Sequence, residues 1–385
     1  MNWLKSTQPK LSLFIILFLG ILTGCQIFAQ HAVPISGTVV APLSNPSDPA
    51  KEELGRLLFW DPILSGDKDV ACATCHHPDF GYAENLDISI GVNGVGLGSL
   101  RHFNDENTIP FVARNSQSIL NSAFNGMDEA GNYDPTSAPM FWDLRANSLE
   151  EQALMPVMNF EEMRGHNYSE EEIIDVVIDR LRGIPEYQRL FTEVFHEASA
   201  IDAENVSKAL AAFQRTLIAV DSPYDRYIAG DTSAMTSQQV EGMRAFERVG
   251  CAECHSGPMF SDFKVHVLGV QDNTKLHESD LGLNGSYAFR TPTLRNLEYT
   301  APYMHNGVVS SLENVLRFYN GGRRGIQRNP EVGRNDRDIL FRRLNNVNNN
   351  SRAIIAFLDA LNDENFDKVI PDAVPSGLPV GGMIE

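Results

Sequence analysis

Cysteine, cysteine and histidine recur together twice in this 385-residue chain, as Cys72-Ala73-Thr74-Cys75-His76 and as Cys251-Ala252-Glu253-Cys254-His255. Two thiols separated by two residues, followed at once by an imidazole, form the arrangement that attaches a c-type haem. The thiols add to the vinyl groups and the histidine binds the iron. A single copy has rivals, such as a redox dithiol. Two copies, each ending in histidine, read as two haem c groups. Cys72, Cys75, Cys251 and Cys254 are then the thioether donors, and His76 and His255 the iron ligands. The chemistry is therefore movement of electrons.

The elements around the motifs read as helices. Ser47 before Pro49 is a candidate N-cap for a helix carrying Leu54, Leu57 and Leu58, which runs into Trp60-Asp61-Pro62 and the first motif. Thr236-Ser237-Gln238-Gln239 resembles a capping box, followed by Val240, Met243, Phe246 and Val249 at helical spacing and then the second motif. Gly55 and Phe59 in the first lead-in correspond to Gly242 and Phe246 in the second, which suggests duplication of one cytochrome c-like unit. Further helical stretches lie at Glu150 to Met158, Glu170 to Leu181, and Ala203 to Val220. No sustained alternation of β-branched residues indicates a large sheet. The fold class expected is mainly α, with two cytochrome c-like domains that each carry one covalent haem. The glycine-rich run Gly91 to Gly98 neither follows a strand nor opens a helix, so it reads as a loop against a flat cofactor and not as a dinucleotide site. After Pro371 the tail reads as loose.

The fifth cysteine has a separate explanation. Lys5 and Lys10 precede an apolar run from Leu11 to Leu22, too short to span a bilayer and shaped like a signal-peptide core. It ends in Leu22-Thr23-Gly24-Cys25, which resembles the bacterial lipoprotein signal, so Cys25 is expected to be lipidated. The rival is an ordinary secretory cut near Ala29 or Ala32. Lipidation leaves no thiol over, so neither a disulfide nor a free thiol is expected. Loss of the two lysines takes 31 basic side chains to 29 against 50 acidic, a balance of −21. That charge disfavours nucleic acid and anionic lipid, and it suits either a cationic electron-carrier protein or simple solubility. The organisation expected is a lipoprotein signal over 1–25, a tether over 26–46, one haem domain over 47–220 and a second over 221–385.

Several phrases, in order, resemble the bacterial dihaem cytochrome c peroxidase and MauG superfamily: Leu58-Phe59-Trp60-Asp61-Pro62-Ile63-Leu64-Ser65-Gly66, Ala113-Arg114-Asn115-Ser116, Phe141-Trp142-Asp143-Leu144-Arg145, and Thr300-Ala301-Pro302-Tyr303-Met304-His305-Asn306-Gly307. The resemblance implies haems facing a domain interface, the first peroxidatic and the second an electron-transfer centre. Many members carry a histidine sixteen residues after the first motif's histidine, in Ser-Ile-Gly-His. Here the phrase is Ser89-Ile90-Gly91-Val92, which implies an iron open to peroxide, with His102 as the one nearby substitute ligand. Fourteen residues beyond His305, where many members have methionine, stands Tyr319, as in MauG-like members. Met304 and Met259 are the rival sixth ligands. The family's distal glutamate maps to Glu150, with Glu151 as its neighbouring alternative, and Met140 stands where relatives have a glutamine. Asn115, Thr300 and Pro302 match a calcium site. No tryptophan between the haems is evident, since Trp60 and Trp142 both read as packing residues. His31, His166, His196, His266 and His277 read as surface or structural.

The resemblance implies a periplasmic enzyme, lipid-anchored to a bacterial membrane, that reduces hydrogen peroxide to water. Electrons would come from a c-type cytochrome or cupredoxin, and relatives that pair imply a homodimer. One alternative is MauG-like oxidation of side chains on a partner protein. Another is a dihaem carrier without catalysis.

Overall fold

The computed structural model describes residues 33–385 apart from Ala198, so Cys25, His31 and the signal segment lie outside the described residues. Among the described residues, no helix is long and apolar enough to cross a membrane. The chain folds around two main hydrophobic cores. The first is built from α1 (Pro49–Trp60), α2 (Cys72–Cys75), α4 (Met155–Met158), α5 (Ile173–Arg182), α6 (Pro185–Phe195) and α7 (Ala203–Thr216), while α3 (Leu149–Gln152) places Leu149 in a small cluster with Met140 and Ala211. The second uses α8 (Pro223–Ile228), α9 (Ser237–Arg248), α10 (Leu312–Arg323), α11 (Ile339–Arg343) and α12 (Val347–Asp359). Strands are few: Gly94–Val95 pairs antiparallel with His102–Phe103, and Val265–Val267 with Ala288–Arg290.

The same helix crossing occurs in both cores. A Cβ on Gly55 of α1 would stand 2.0 Å from the Ala209 carbonyl oxygen of α7 and 2.8 Å from Phe213 Cβ. A Cβ on Gly242 of α9 would stand 1.9 Å from the Ala353 oxygen of α12 and 2.9 Å from Phe357 Cβ. The lead-in phenylalanines repeat the match: Phe59 meets Phe213 at 5.1 Å and 60°, and Phe246 meets Phe357 at 5.4 Å and 63°. Each glycine lets a helix backbone approach its partner directly, and each aromatic pair adds edge-on packing beside it. The two lead-in helices matched in the sequence thus make the same kind of crossing in the structure.

Local signals set the helix starts. Thr236 and Gln239 form the reciprocal capping box. The first helix is capped by Asp48, whose side chain accepts from Lys51 N at 3.0 Å, and not by Ser47. Two other expectations are corrected. Residues 33–46 are not a free tether: Ile35 packs with Phe124, Met127, Met259 and Phe263, and buried Asn45 holds Lys51 Nζ at 2.9 Å. Nor is the tail loose or part of the second core. Phe366 and Val374 join the first core, Gly381 N donates to the Trp60 carbonyl at 2.8 Å, and Thr74 Oγ1 of α2 donates to the Gly381 carbonyl at 2.7 Å.

Candidate haem centres and the cavity between them

One cavity of about 390 Å³ is lined by both Cys-x-x-Cys-His motifs. In each motif a tight helical turn puts the thiols on one side, and the histidine amide closes it: His76 N donates to the Cys72 carbonyl and His255 N to the Cys251 carbonyl, both at 3.0 Å. The rings are oriented alike. His76 Nδ1 donates to the Tyr82 carbonyl at 3.0 Å, and His255 Nδ1 to the Phe260 carbonyl at 3.1 Å. A carbonyl can only accept, so each Nε2 carries the free lone pair, which is the tautomer an iron ligand needs. Burial lowers the pKa of both, that of His255 to about 4, which keeps the imidazoles neutral. Two thiols, one correctly presented imidazole and an adjoining cavity fit a covalent haem at each motif.

At the first motif, Val92 is fully buried and His102 is exposed, its Nδ1 turned to the Leu100 carbonyl at 3.0 Å. His102 does not reach the cavity wall. The acid at that wall is Glu162, on a π-helical turn over Phe160–Arg164 whose first amides are capped by Asn159 Oδ1, from Glu161 N and Glu162 N at 3.0 Å each. Gly91 leans on this turn so closely that a Cβ there would stand 2.3 Å from the Glu162 carbonyl oxygen. Burial raises the Glu162 pKa, an effect moderated by the positive charge of Arg145. Gln152, Pro156 and Met140 share the wall.

Glu150, the acid expected from the sequence, is not at that wall. Both its oxygens are held by Arg215, at 2.7 and 2.9 Å, and Asn45 Nδ2 donates to Oε1 at 2.8 Å. Burial pushes this carboxyl up, but Arg215 and Asn45 outweigh it and hold the pKa below the usual glutamate range. Glu151 accepts from Asn147 N at 2.8 Å and is exposed. Of the two acids, Glu162 and not Glu150 lines the cavity in this structure. Nothing local separates Leu-Glu-Glu-Gln from Phe-Glu-Glu-Met, and the deciding partner lies 65 residues away at Arg215.

Tyr319, on α10, lines the cavity beside the second motif, and burial pushes its phenol pKa up. Met304 lines the cavity as well, whereas Met259 packs in a separate cluster with Phe124 and Phe263. His266 also lines the wall, clamped between Asp262 at 2.9 Å and Asp338 at 2.7 Å. Hydrogen bonding to Asp262 and Asp338 raises its pKa. Its two carboxylate partners fit the structural half of the surface-or-structural expectation, and the side chain is largely covered.

Between the motifs stand Trp142, His305 and Phe289. Trp142 Nε1 donates to the Asn115 carbonyl at 3.0 Å, its ring meets His305 at 6.4 Å, and His305 stacks on Phe289 at 3.6 Å. Trp142 is thus at the wall common to both motifs, whereas Trp60 is fully buried in the first core. Asn115, Thr300 and Pro302 line the same cavity. The two halves are tied at its wall by Arg114 to Asp280 at 2.6 Å and, away from the cavity lining, by Asp87 to Lys275 at 2.6 Å.

Residues 49–233 match the family described as di-haem cytochrome c peroxidase. The chain is 36% identical over 287 residues to the methylamine utilization protein MauG of Methylorubrum extorquens, covering 73% of this chain and 72% of that one. It is 32% identical to the cytochrome c551 peroxidase of Pseudomonas aeruginosa, covering 77% and 80%. The chain belongs to the dihaem cytochrome c peroxidase family. A solved MauG-like protein associated with microbial copper homeostasis superposes with a TM-score of 0.69 at 26% identity, over 87% of this chain and 94% of that one. Membership makes this chain a haem-dependent oxidoreductase of the peroxidase class, with two c-type haems implied.

Proposed function

We propose that the protein is a periplasmic peroxidase that reduces hydrogen peroxide to two waters, taking up two electrons and two protons. The observation carrying this reading is the asymmetry of the shared cavity, with a buried acid at one haem motif and a tyrosine at the other. The first haem would supply the iron that binds peroxide, held by Cys72, Cys75 and His76. The second, held by Cys251, Cys254 and His255, would supply the entry point for electrons. Glu162 would take a proton from hydrogen peroxide and give it back to the departing oxygen. Gln152 offers an amide to orient the bound oxygens, and Pro156 and Met140 keep that side apolar. Trp142 stands where electrons pass from one centre to the other.

Asn115 Oδ1 with the Thr300 and Pro302 carbonyls would bind one calcium ion, completed by water, which that ion tolerates. Residues 47–220 and 221–361 form the two haem domains, with the tail returned to the first. Cys25 would carry a lipid that anchors the exported protein. The test of the whole reading is the resting ferric EPR spectrum. A high-spin signal that changes on adding peroxide is expected, and two unresponsive low-spin signals would leave only a carrier.

Tyr319 favours a second reading in one respect. A phenolate ligand is hard and anionic and stabilises higher iron oxidation states than a thioether does. That suits MauG-like oxidation of a partner's side chains. Tyr319→Phe is expected to change the visible and EPR spectra of the second haem while leaving the first unchanged. An unaltered spectrum would move ligation to Met304. Consumption of reduced cytochrome c with peroxide separates the peroxidase from the protein-modifying enzyme.

A further inference from the structure

Several surface arginines are neutralised by neighbours: Arg56 by Asp367, Arg182 by Asp179, Arg189 by Glu186 and Glu193, and Arg226 by Asp221. One segment concentrates arginines that are not. Residues 323–343 contain seven arginines against Glu331, Asp336 and Asp338, in a chain of formal charge −19. Asp338 is already engaged inward by His266 at 2.7 Å. Arg324, Arg328 and Arg334 are exposed, and among the described residues none of the three stands in an ion pair.

The fold gathers these side chains. The chain turns back after α10 at Gly325, Ile326 N donates to the Gly321 carbonyl at 3.2 Å, and Arg337 Nη1 donates to the Ile326 carbonyl at 2.9 Å. A Cβ on Gly325 would stand 3.5 Å from Arg334 Cδ, and one on Gly321 3.8 Å from Arg328 Nη2. The Arg328 guanidinium lies 5.7 Å over the Phe318 ring, next in sequence to Tyr319. The patch is therefore the outer side of the wall whose inner side carries Tyr319 and Phe341 at the second haem motif. Ile326 at 50% and Ile339 at 46% exposure add apolar contact area within it.

We propose that this face docks an acidic electron-donor protein over the second haem centre, with Arg324, Arg328 and Arg334 pairing with the donor's carboxylates. The proposal rests on the peroxidase reading for the direction of electron flow. Overall acidity points to a basic partner, but charges beyond a Debye length of about 10 Å are largely screened at 0.1 M salt, so the local arginines decide what docks here. Unpaired arginines around apolar spots match the composition of protein interfaces, where arginine is enriched.

The test uses the dihaem protein and the triple variant R324E/R328E/R334E. The probes are a reduced acidic c-type cytochrome, a strongly basic cytochrome c, and vesicles of anionic phospholipid. Binding is measured calorimetrically without peroxide. The acidic cytochrome is expected to bind with an affinity that falls as salt rises, and the triple variant to weaken it at least roughly tenfold at low salt. Equal affinity in both proteins would overturn the proposal. So would arginine-dependent binding of the vesicles but not of the acidic cytochrome, or preference of the unaltered protein for the basic cytochrome. Peroxide turnover with a small-molecule reductant, expected to be the same in both proteins, reports separately on the peroxidase reading.

Discussion

Glu162→Gln is expected to retain both covalent haems and to lose peroxide turnover by roughly 10²- to 10⁴-fold, the usual worth of a positioned acid–base group. Glu150→Gln is expected to keep turnover within about twofold of the unaltered protein. The contrast follows from position. Glu162 stands at the wall of the cavity beside the first motif, whereas the Glu150 oxygens are occupied by Arg215 and Asn45. The cost of Glu150→Gln is instead in stability, about 1–3 kcal/mol, because Arg215 is left buried beside a weaker acceptor. The two acids also predict opposite behaviour with pH. Burial raises the Glu162 pKa, and the base must be deprotonated, so the acid limb of turnover lies above the ordinary glutamate value of 4.5 and the rate falls as pH drops through it. Arg145→Gln removes a cation that holds this pKa down and shifts the limb further up. The folded-state pKa of Glu150 is depressed, so its stabilisation is present above about 4.5 and is lost as pH falls through the depressed value. Rapid-mixing measurement of the peroxide reaction across pH, alongside thermal melts, checks both. Full turnover in Glu162→Gln would send the acid–base role elsewhere.

Gly242→Ala is expected to be among the most destabilising small substitutions in the chain, and Gly55→Ala to match it. The new methyl would meet a backbone carbonyl oxygen at 1.9 or 2.0 Å, and a backbone atom in a packed helix cannot turn away as a side chain can. The helices must separate, which opens the Phe246–Phe357 or Phe59–Phe213 contact beside them. Overpacking of this kind costs about 3 kcal/mol or more, which for a domain of this size lowers the melting temperature by roughly 6–12 °C. Gly37→Ala is the control: its Cβ would find Val220 Cγ2 at 3.9 Å, an ordinary contact, and no measurable change is expected. Differential scanning calorimetry of the haem-loaded protein resolves which half melts first. Melting of Gly242→Ala unchanged from the parent would refute the close-crossing argument.

What could be read beforehand divides by range. The Thr236 capping box and the Gly55/Phe59 and Gly242/Phe246 pairs are short-range patterns, and each has the expected place in the structure, while both Cys-x-x-Cys-His motifs line one cavity. Which acid lines the cavity was not readable in the same way, because two Glu-Glu pairs sit in similar helical starts and only the distant Arg215 holds one of them elsewhere. Trp142 was read as packing, and its neighbours His305 and, beyond it, Phe289 come from a distant part of the chain that the sequence does not place beside it. The tail misled through composition: Pro, Gly and Ser after residue 371 look unstructured, yet backbone hydrogen bonds from Gly381 and Met383 fix it to Trp60 and Asp69. Such bonds carry no side-chain signature.

That tail imposes an order on biogenesis. Ribosomes make the chain from its amino end, so Cys72 and Cys75 emerge some three hundred residues before Gly381, which accepts the Thr74 hydroxyl between them. The turn that holds the two thiols therefore lacks this clasp until residue 381 has been made. Truncation before Gly381 would be felt in the half that was made first.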